Sequence, residues 1–178
     1  NNNAYCQDNS SGWFDWNLVS QNQALLTFTR GLILFGQSVS LLGQDHLLCS
    51  KCGRCSCPHI WWHGTKRNQP DWSEFSHSLA CSMAHPQADE QLYAIFNAYW
   101  HPLSFELPEL PAGKHWHRIV DTAQQVNSLI LPASAPMVMD SEYSAGPRSS
   151  VVLMVLPVER LKSDEMACHK KQGCLTCQ

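Results

Sequence analysis

QLYAIFNAYWHPLSFELPELPAGKHWHRIVDT, residues 91–122, decides the fold, because three strand-like runs follow one another there with turn chemistry between them. Leu92, Ala94 and Phe96 alternate with Tyr93, Ile95 and Asn97. Leu103, Phe105 and Leu107 alternate with Ser104 and Glu106, and Trp116, Arg118 and Val120 alternate with His117 and Ile119. A period of two puts one face of each strand against a core. Pro102, Pro108, Pro111 and Gly113 separate the runs, and proline cannot donate to a strand ladder. The stretch predicts a β-meander whose inward residues include Leu92, Phe96, Leu103, Phe105, Leu107 and Trp116.

Outward from it, Leu79, Cys81 and Met83 share one face of a preceding strand, and His59 to Trp62 forms a short aromatic run before that. Trp72 is expected to pin the polar loop between them. Downstream, Ala123 to Pro147 reads as a connection, and Ser149 to Leu156 as the last and most β-branched strand. About six strands at these spacings predict a mainly β protein, an antiparallel two-sheet sandwich. Ahead of it, Ser20 and Gln23 give a capping-box signal, and Leu25, Phe28, Leu32 and Phe35 recur at helical spacing, with Leu26 and Ile33 widening the stripe. They predict one helix from about Val19 to Gln37. Its stripe is broad enough to imply a second, larger neighbour.

The 178 residues suffice for one domain and part of another, and 44% hydrophobic content is that of a globular chain. A net charge of -3 gives no basic face for nucleic acid and no polybasic membrane patch, so neither partner is expected. No apolar run approaches the roughly 18 residues that span a bilayer. The chain opens on Asn1 without methionine or a signal-peptide pattern and is expected to be the tail of something longer.

Nine cysteines, an odd number, cluster rather than spread, which predicts a reducing, cytoplasmic setting. Cys49-x-x-Cys52 and Cys174-x-x-Cys177 have the spacing of a zinc ribbon, with Cys55, Cys57, His59 and His169 as spare ligands. His115 and His117 face one side of a strand and are expected at an exposed edge. Of the aromatic residues Trp13, Phe14, Trp16, Trp61, Trp62, Trp72, Trp100 and Trp116, most are expected in the core or at an interface, and a minority as sugar-stacking platforms.

Four stretches, in order, resemble the isoamylase-type debranching branch of glycoside hydrolase family 13. They are NNNAYCQDN with WFDWNL, the FTRGLI helix, WHGT with QPDWSEFSHSLA, and the meander with its closing RSSVVLM. The similarity runs from Asn1 to about Pro157, with the bacterial glycogen enzymes nearer in wording than the plant ones. It implies that residues 1–42 are the last loop and helix of a (β/α)8 barrel, that 43–157 form the C-terminal β-sandwich, and that 158–178 are a divergent, poorly ordered tail. Because neither cysteine pair belongs to the family's pattern, no metal is expected, and Cys49, Cys52, Cys174 and Cys177 stay as the alternative. No cofactor is expected.

The resemblance implies a parent enzyme that hydrolyses α-1,6-glucosidic branch linkages of glycogen or starch-type glucan with retention. That chemistry needs two carboxyl groups about 5 to 5.5 Å apart. In the family they lie on barrel strands that precede this chain, so no catalytic residue is expected here and the isolated chain should be inactive. Asp8, Asp15, Asp71, Glu74 and Asp121 are read as turn and cap residues. Loops at the C-terminal face of a barrel line its active site, so Asn2, Asn3, Tyr5, Gln7 and Asp8 are expected to border the glucan cleft. The partners implied are a branched α-glucan and the missing barrel. Two alternatives are a stand-alone glucan-binding sandwich and a zinc-organised interaction module.

Overall fold

The computed structural model describes residues 5–43, 48–50, 57–124 and 129–156. The expected tail with Cys174 and Cys177 lies outside the described residues, as do Asn2, Asn3 and Cys52. The described chain runs α1 (Asn17–Gln21), α2 (Gln23–Ser38), a 3-10 turn (Ser40–Leu42), β1 (His59–His63), β2 (Ser78–His85), β3 (Glu90–Asn97), β4 (Leu103–Glu106), β5 (Trp116–Asp121), a 3-10 turn (Pro132–Ser134), β6 (Met137–Val138), β7 (Glu142–Ala145) and β8 (Ser149–Val155). A six-stranded sheet has the order β1-β2-β3-β8-β5-β6, and a two-stranded sheet pairs β4 with β7. Every pair of named strands is antiparallel, and the expected sandwich is present.

The three strands of residues 91–122 form where they were expected, but they are not a meander. β3 pairs with β2 and β8, β5 with β8 and β6, and β4 crosses to the other sheet to pair with β7. The turns at Pro102 and at Pro108 to Gly113 carry the chain between layers instead of reversing it within one. Among the described residues eight strands replace the expected six or so because β6 and β7 lie in the stretch read as a connection. They are two and four residues long, too short to show a period.

Register fixes two opposite faces of the large sheet. Tyr93, Ile95, Val151, Leu153, Val155 and Trp116 point to the small sheet and enclose Phe105, Leu107 and Ala145 in one core. Leu92, Met154, Ile119 and Val120 point the other way and pack against Phe35, Val39 and Leu41 of the helical segment. β3 is thus buried on both faces, which the expectation of one inward face missed. The outcome for its two apolar ends is opposite: Leu92 is 1% exposed, whereas Phe96, expected inward, is 46% exposed because the helical segment does not reach it. A bulge between Arg118 and Val120 explains β5. The extra residue shifts the alternation, so Ile119 and Val120 both reach the helical side while Trp116 stays in the sandwich.

The single expected helix is two, broken at Asn22. The Asn22 side chain and its backbone N–H both donate to the Leu18 carbonyl, at 3.0 and 2.9 Å, the local bonding by which asparagine competes with a helix. Ser20 is not a cap; its hydroxyl donates back to the Asn17 carbonyl inside α1. Within α2, Phe28 and Phe35 turn to the sheet, and Gly31 lies between them on the same side. A Cβ on Gly31 would stand 2.8 Å from a Leu129 methyl, so the glycine admits that side chain. Of the rest of the broad stripe, Leu25, Leu32 and Ile33 are exposed and Leu26 is half-buried, and Leu34, outside the stripe, is exposed as well.

Two buried polar side chains hold these layers in place. Glu90 is 2% exposed, and one of its carboxylate oxygens accepts from the Ser40 hydroxyl at 2.7 Å and the Leu41 N–H at 3.0 Å, tying the 3-10 turn to β3. Asn97 is 1% exposed. Its amide nitrogen donates to the carbonyls of His101, Ala145 and Gly146, and its oxygen accepts from the Tyr99 N–H. One side chain therefore joins the β3–β4 turn to the end of β7.

Candidate functional site

The N-terminal loop is exposed and internally bonded. Tyr5 and Cys6 both adopt positive φ, 47° and 61°, giving a tight turn at its start. Gln7 accepts from the Asn9 amide at 3.0 Å, and Asp8 accepts from the Trp13 indole at 2.5 Å. Of the expected cleft-bordering set, Tyr5, Gln7 and Asp8 are thus brought together in one exposed segment. The loop leads into Trp13, Phe14 and Trp16, all exposed, with Phe14 edge-on to Trp16 at 5.1 Å.

Three of the five carboxylates read as turn or cap residues, Asp15, Asp71 and Asp121, are engaged in that way, and Asp8 bonds a side chain instead. Asp8 holds Trp13, Asp15 accepts from Asn17, and Asp71 accepts from the Ser73 N–H at 3.0 Å. Asp121, 3% exposed, accepts from the Ala123 N–H at 3.0 Å and the Tyr143 hydroxyl at 2.8 Å. Burial, then the bond to Asp121, pushes the Tyr143 phenol up to about 12. Glu106, at the end of β4, accepts from Lys66 at 2.6 Å and from the Arg67 N–H, and these bonds hold its carboxyl below the usual range.

Those contacts tie the β1–β2 loop to the end of β4, and the Arg67–Glu109 ion pair at 2.8 Å, reaching the segment after it, walls a groove of about 410 Å³. Trp61, 45% exposed, lies along it with Gln91, Asn68, Ser82 and Glu109, while Trp116 lies beneath. A shallower depression of about 300 Å³ lies between Trp72, His77 and Phe96. Trp72 meets Trp62 edge-on at 5.6 Å, which is how it anchors its loop, and both stay exposed. Trp116 is buried in the core, whereas Trp13, Phe14, Trp16, Trp61, Trp62, Trp72 and Trp100 are exposed in this chain, so of the two places expected for most of them the core holds only Trp116. These aromatic residues sit on loops and an edge strand, where a single chain has no second layer to cover them.

His63, unremarked in the sequence, is 3% exposed at the inner end of this groove. Its Nδ1 accepts from the Asn68 N–H at 2.9 Å, which leaves the proton on Nε2, 2.8 Å from the Ser82 hydroxyl. Burial, then the Arg67 charge, lowers its pKa. A lowered imidazole pKa means that the unfolded chain binds the extra proton. Stability from this ring is therefore complete above the ordinary value of 6.5 and is lost as pH falls through it toward the folded value. The expected result is a urea midpoint that drops between pH 7.5 and 5.5 in the wild type and drops less in His63→Gln. Equal drops would contradict it. His117, expected at an exposed edge beside His115, is instead buried, its Nδ1 3.1 Å from the Ala135 carbonyl.

Of the zinc-ribbon alternative, Cys52, Cys174 and Cys177 lie outside the described residues, and Cys49 alone is described. Cys49 lies with Cys57 and His59, two of the residues set aside as spare ligands. Cys57 is disulfide-bonded. Cys81 is buried in β2, and burial pushes its thiol up.

Together these features define an antiparallel β-sandwich with a helical N-terminal segment docked on the outer face of its large sheet. Residues 61–153, more than half of the chain, match the family described as "Isoamylase 1-3, C-terminal", and the chain belongs to that family. Isoamylase SU1, chloroplastic, of Zea mays is 32% identical over 126 residues, covering 70% of this chain and 15% of its own length. The glycogen operon protein GlgX homolog of Mycobacterium bovis is 26% identical over 170 residues, 86% of this chain and 23% of its own. The isoamylase of Pseudomonas amyloderamosa is 22% identical over 165 residues, 88% of this chain and 20% of its own. The chain spans less than a quarter of the length of these relatives.

Proposed function

We propose that this chain is the accessory C-terminal part of an enzyme that hydrolyses α-1,6 branch linkages in glycogen or starch-type glucan, with its own role structural and its catalytic carboxylates elsewhere. In this reading residues 1–42 end a catalytic barrel, 43–157 form the sandwich, 158–178 are a divergent tail, and the setting is cytoplasmic. The loop holding Asn2, Asn3, Tyr5, Gln7 and Asp8 rims the glucan cleft. The observation that carries the proposal is the apolar surface that α2 leaves uncovered around its docked side. Leu25, Ile33 and Leu34 are 63%, 55% and 58% exposed in a helix already docked through Phe28 and Phe35. Exposed apolar surface of this extent, beside Trp13, Phe14 and Trp16, marks an interface. The length of chain that its relatives carry beyond the match supplies an occupant, the remainder of the barrel.

A triple variant Leu25→Gln, Ile33→Gln, Leu34→Gln tests the docking surface. Its effect on the stability of this chain should be small, about 0.5 kcal/mol per site or less. Grafted in place of the matching region of the mycobacterial relative, the native segment should support a folded protein and the triple variant should not. A triple variant that unfolds this chain by itself would assign the surface to its own core and remove the proposal.

The groove at Trp61 favours a second reading, direct contact with glucan. An exposed indole beside Gln91, Asn68 and Glu109 combines a stacking surface with hydrogen-bonding groups, the make-up of a sugar site. Retardation of the chain in a glycogen-containing gel, abolished by Trp61→Ala, is the expected result. Equal mobility with and without glycogen would remove this reading and leave the structural one standing.

A further inference from the structure

Cys49, Cys57 and His59 meet just before and at the start of β1, outside both cores and ahead of residue 61, where the family match begins. One ligand atom from each, two sulfurs and an imidazole nitrogen, lies within 4.8 Å of the others. The backbone builds this arrangement. Cys49 and His59 form an isolated parallel bridge, with the Cys49 N–H donating to the Pro58 carbonyl at 2.9 Å and the Ile60 N–H to the Cys49 carbonyl at 3.1 Å. The His59 ring lies 5.5 Å from that of Trp61, which limits its rotation. All three residues are half-buried, and β1 is an edge strand, so the cluster is sheltered but reachable.

Two sulfurs and an imidazole form the donor set that zinc-type ions prefer, at a spacing that one ion can bridge. We propose that Cys49, Cys57 and His59 form a zinc site once the disulfide of Cys57 is reduced, with a fourth position left to solvent. As a disulfide, Cys57 offers no thiolate. Two electrons and two protons from a dithiol convert the disulfide to two thiols, and the dithiol closes to its own disulfide. Zinc then displaces the thiol protons of Cys49 and Cys57 to solvent, while His59 binds as the neutral ring. The bound ion clips the Cys49 segment to β1 and covers part of an otherwise open sheet edge.

The test is titration of the full 178-residue chain, reduced with a phosphine, first with Co²⁺ alone and then with Zn²⁺. One cobalt per chain should give a sulfur-to-cobalt charge-transfer band and tetrahedral visible bands, both bleached by one equivalent of zinc. Cys49→Ser and His59→Ala should each weaken binding more than ~10-fold with unchanged circular dichroism, and His59→Cys should restore it. The double variant Cys174→Ser, Cys177→Ser should bind like the wild type, and the disulfide form should not bind. Zinc should also protect Cys49 and Cys57 of the wild type from alkylation, a readout that needs no variant. The absence of a charge-transfer band from the reduced protein would overturn the proposal. So would a band that survives both Cys49→Ser and His59→Ala, a band lost in the Cys174/Cys177 variant, or equal binding by the disulfide form.

Discussion

Phe105→Ala is expected to destabilise the chain by about 3–5 kcal/mol, the largest effect of any single truncation proposed for it. Phe105 is 0% exposed and comes from the two-stranded sheet, where it is enclosed by Tyr93, Ile95, Leu107, Trp116, Val151 and Leu153. Its removal costs both the transfer energy of the ring and a cavity between layers that backbone hydrogen bonds keep apart. Phe96→Ala is the internal control. That ring is 46% exposed, beyond the reach of the helical segment, and its loss should cost about 1 kcal/mol or less in this chain. Equilibrium urea unfolding of both variants measures the difference. Equal losses would mean that the small sheet does not close the core as described.

Asn97→Ala comes next, with an expected loss of about 3 kcal/mol. Alanine leaves the buried Ala145 carbonyl without the amide at 3.2 Å, weakens the turn carbonyls of His101 and Gly146, and removes the acceptor of the Tyr99 N–H. Asn97→Asp separates this account from simple loss of volume. It keeps the shape but points a carboxylate at three carbonyl oxygens, which raises the acid's folded pKa above its unfolded value of about 3.9. Its destabilisation relative to the wild type should therefore be fully developed above the folded pKa and diminish as pH falls through it. Thermal unfolding at neutral and acid pH provides the comparison. An aspartate variant as stable as the wild type at neutral pH would show that the amide's donor bonds carry little weight.

The strands were legible where apolar side chains alternate, as in β2, β3, β4, β5 and β8. Their partners were not, because pairing is non-local. The prolines of residues 102–111 end a strand whether the chain reverses in its own sheet or crosses to another. The bulge at Ile119 left no mark in the sequence, since an extra residue within an apolar run looks like continuation. Glu90 and Asn97 were missed because a polar letter reads as exposed until the groups that satisfy it are known. The break at Asn22 had a local signal in the asparagine itself, but the longer helical period outweighed it. For the site, the loop at Tyr5, Gln7 and Asp8 could be singled out only through family resemblance. The cysteine spacing picked out Cys49, with Cys57 and His59 only as spare ligands. Its proximity to Cys57 and His59 comes from a parallel bridge, not from a two-by-two spacing.

The accessory role is tested most directly by incubating the purified 178-residue chain with a branched α-glucan and measuring linear chains and reducing ends released. The predicted result is none above buffer, with the Asp15, Asp71 and Asp121 carboxylates held in turns and caps and Asp8 bonded to the Trp13 indole. Release of α-1,6-linked chains by the purified protein, abolished by replacing any one of its own carboxylates, would contradict the account.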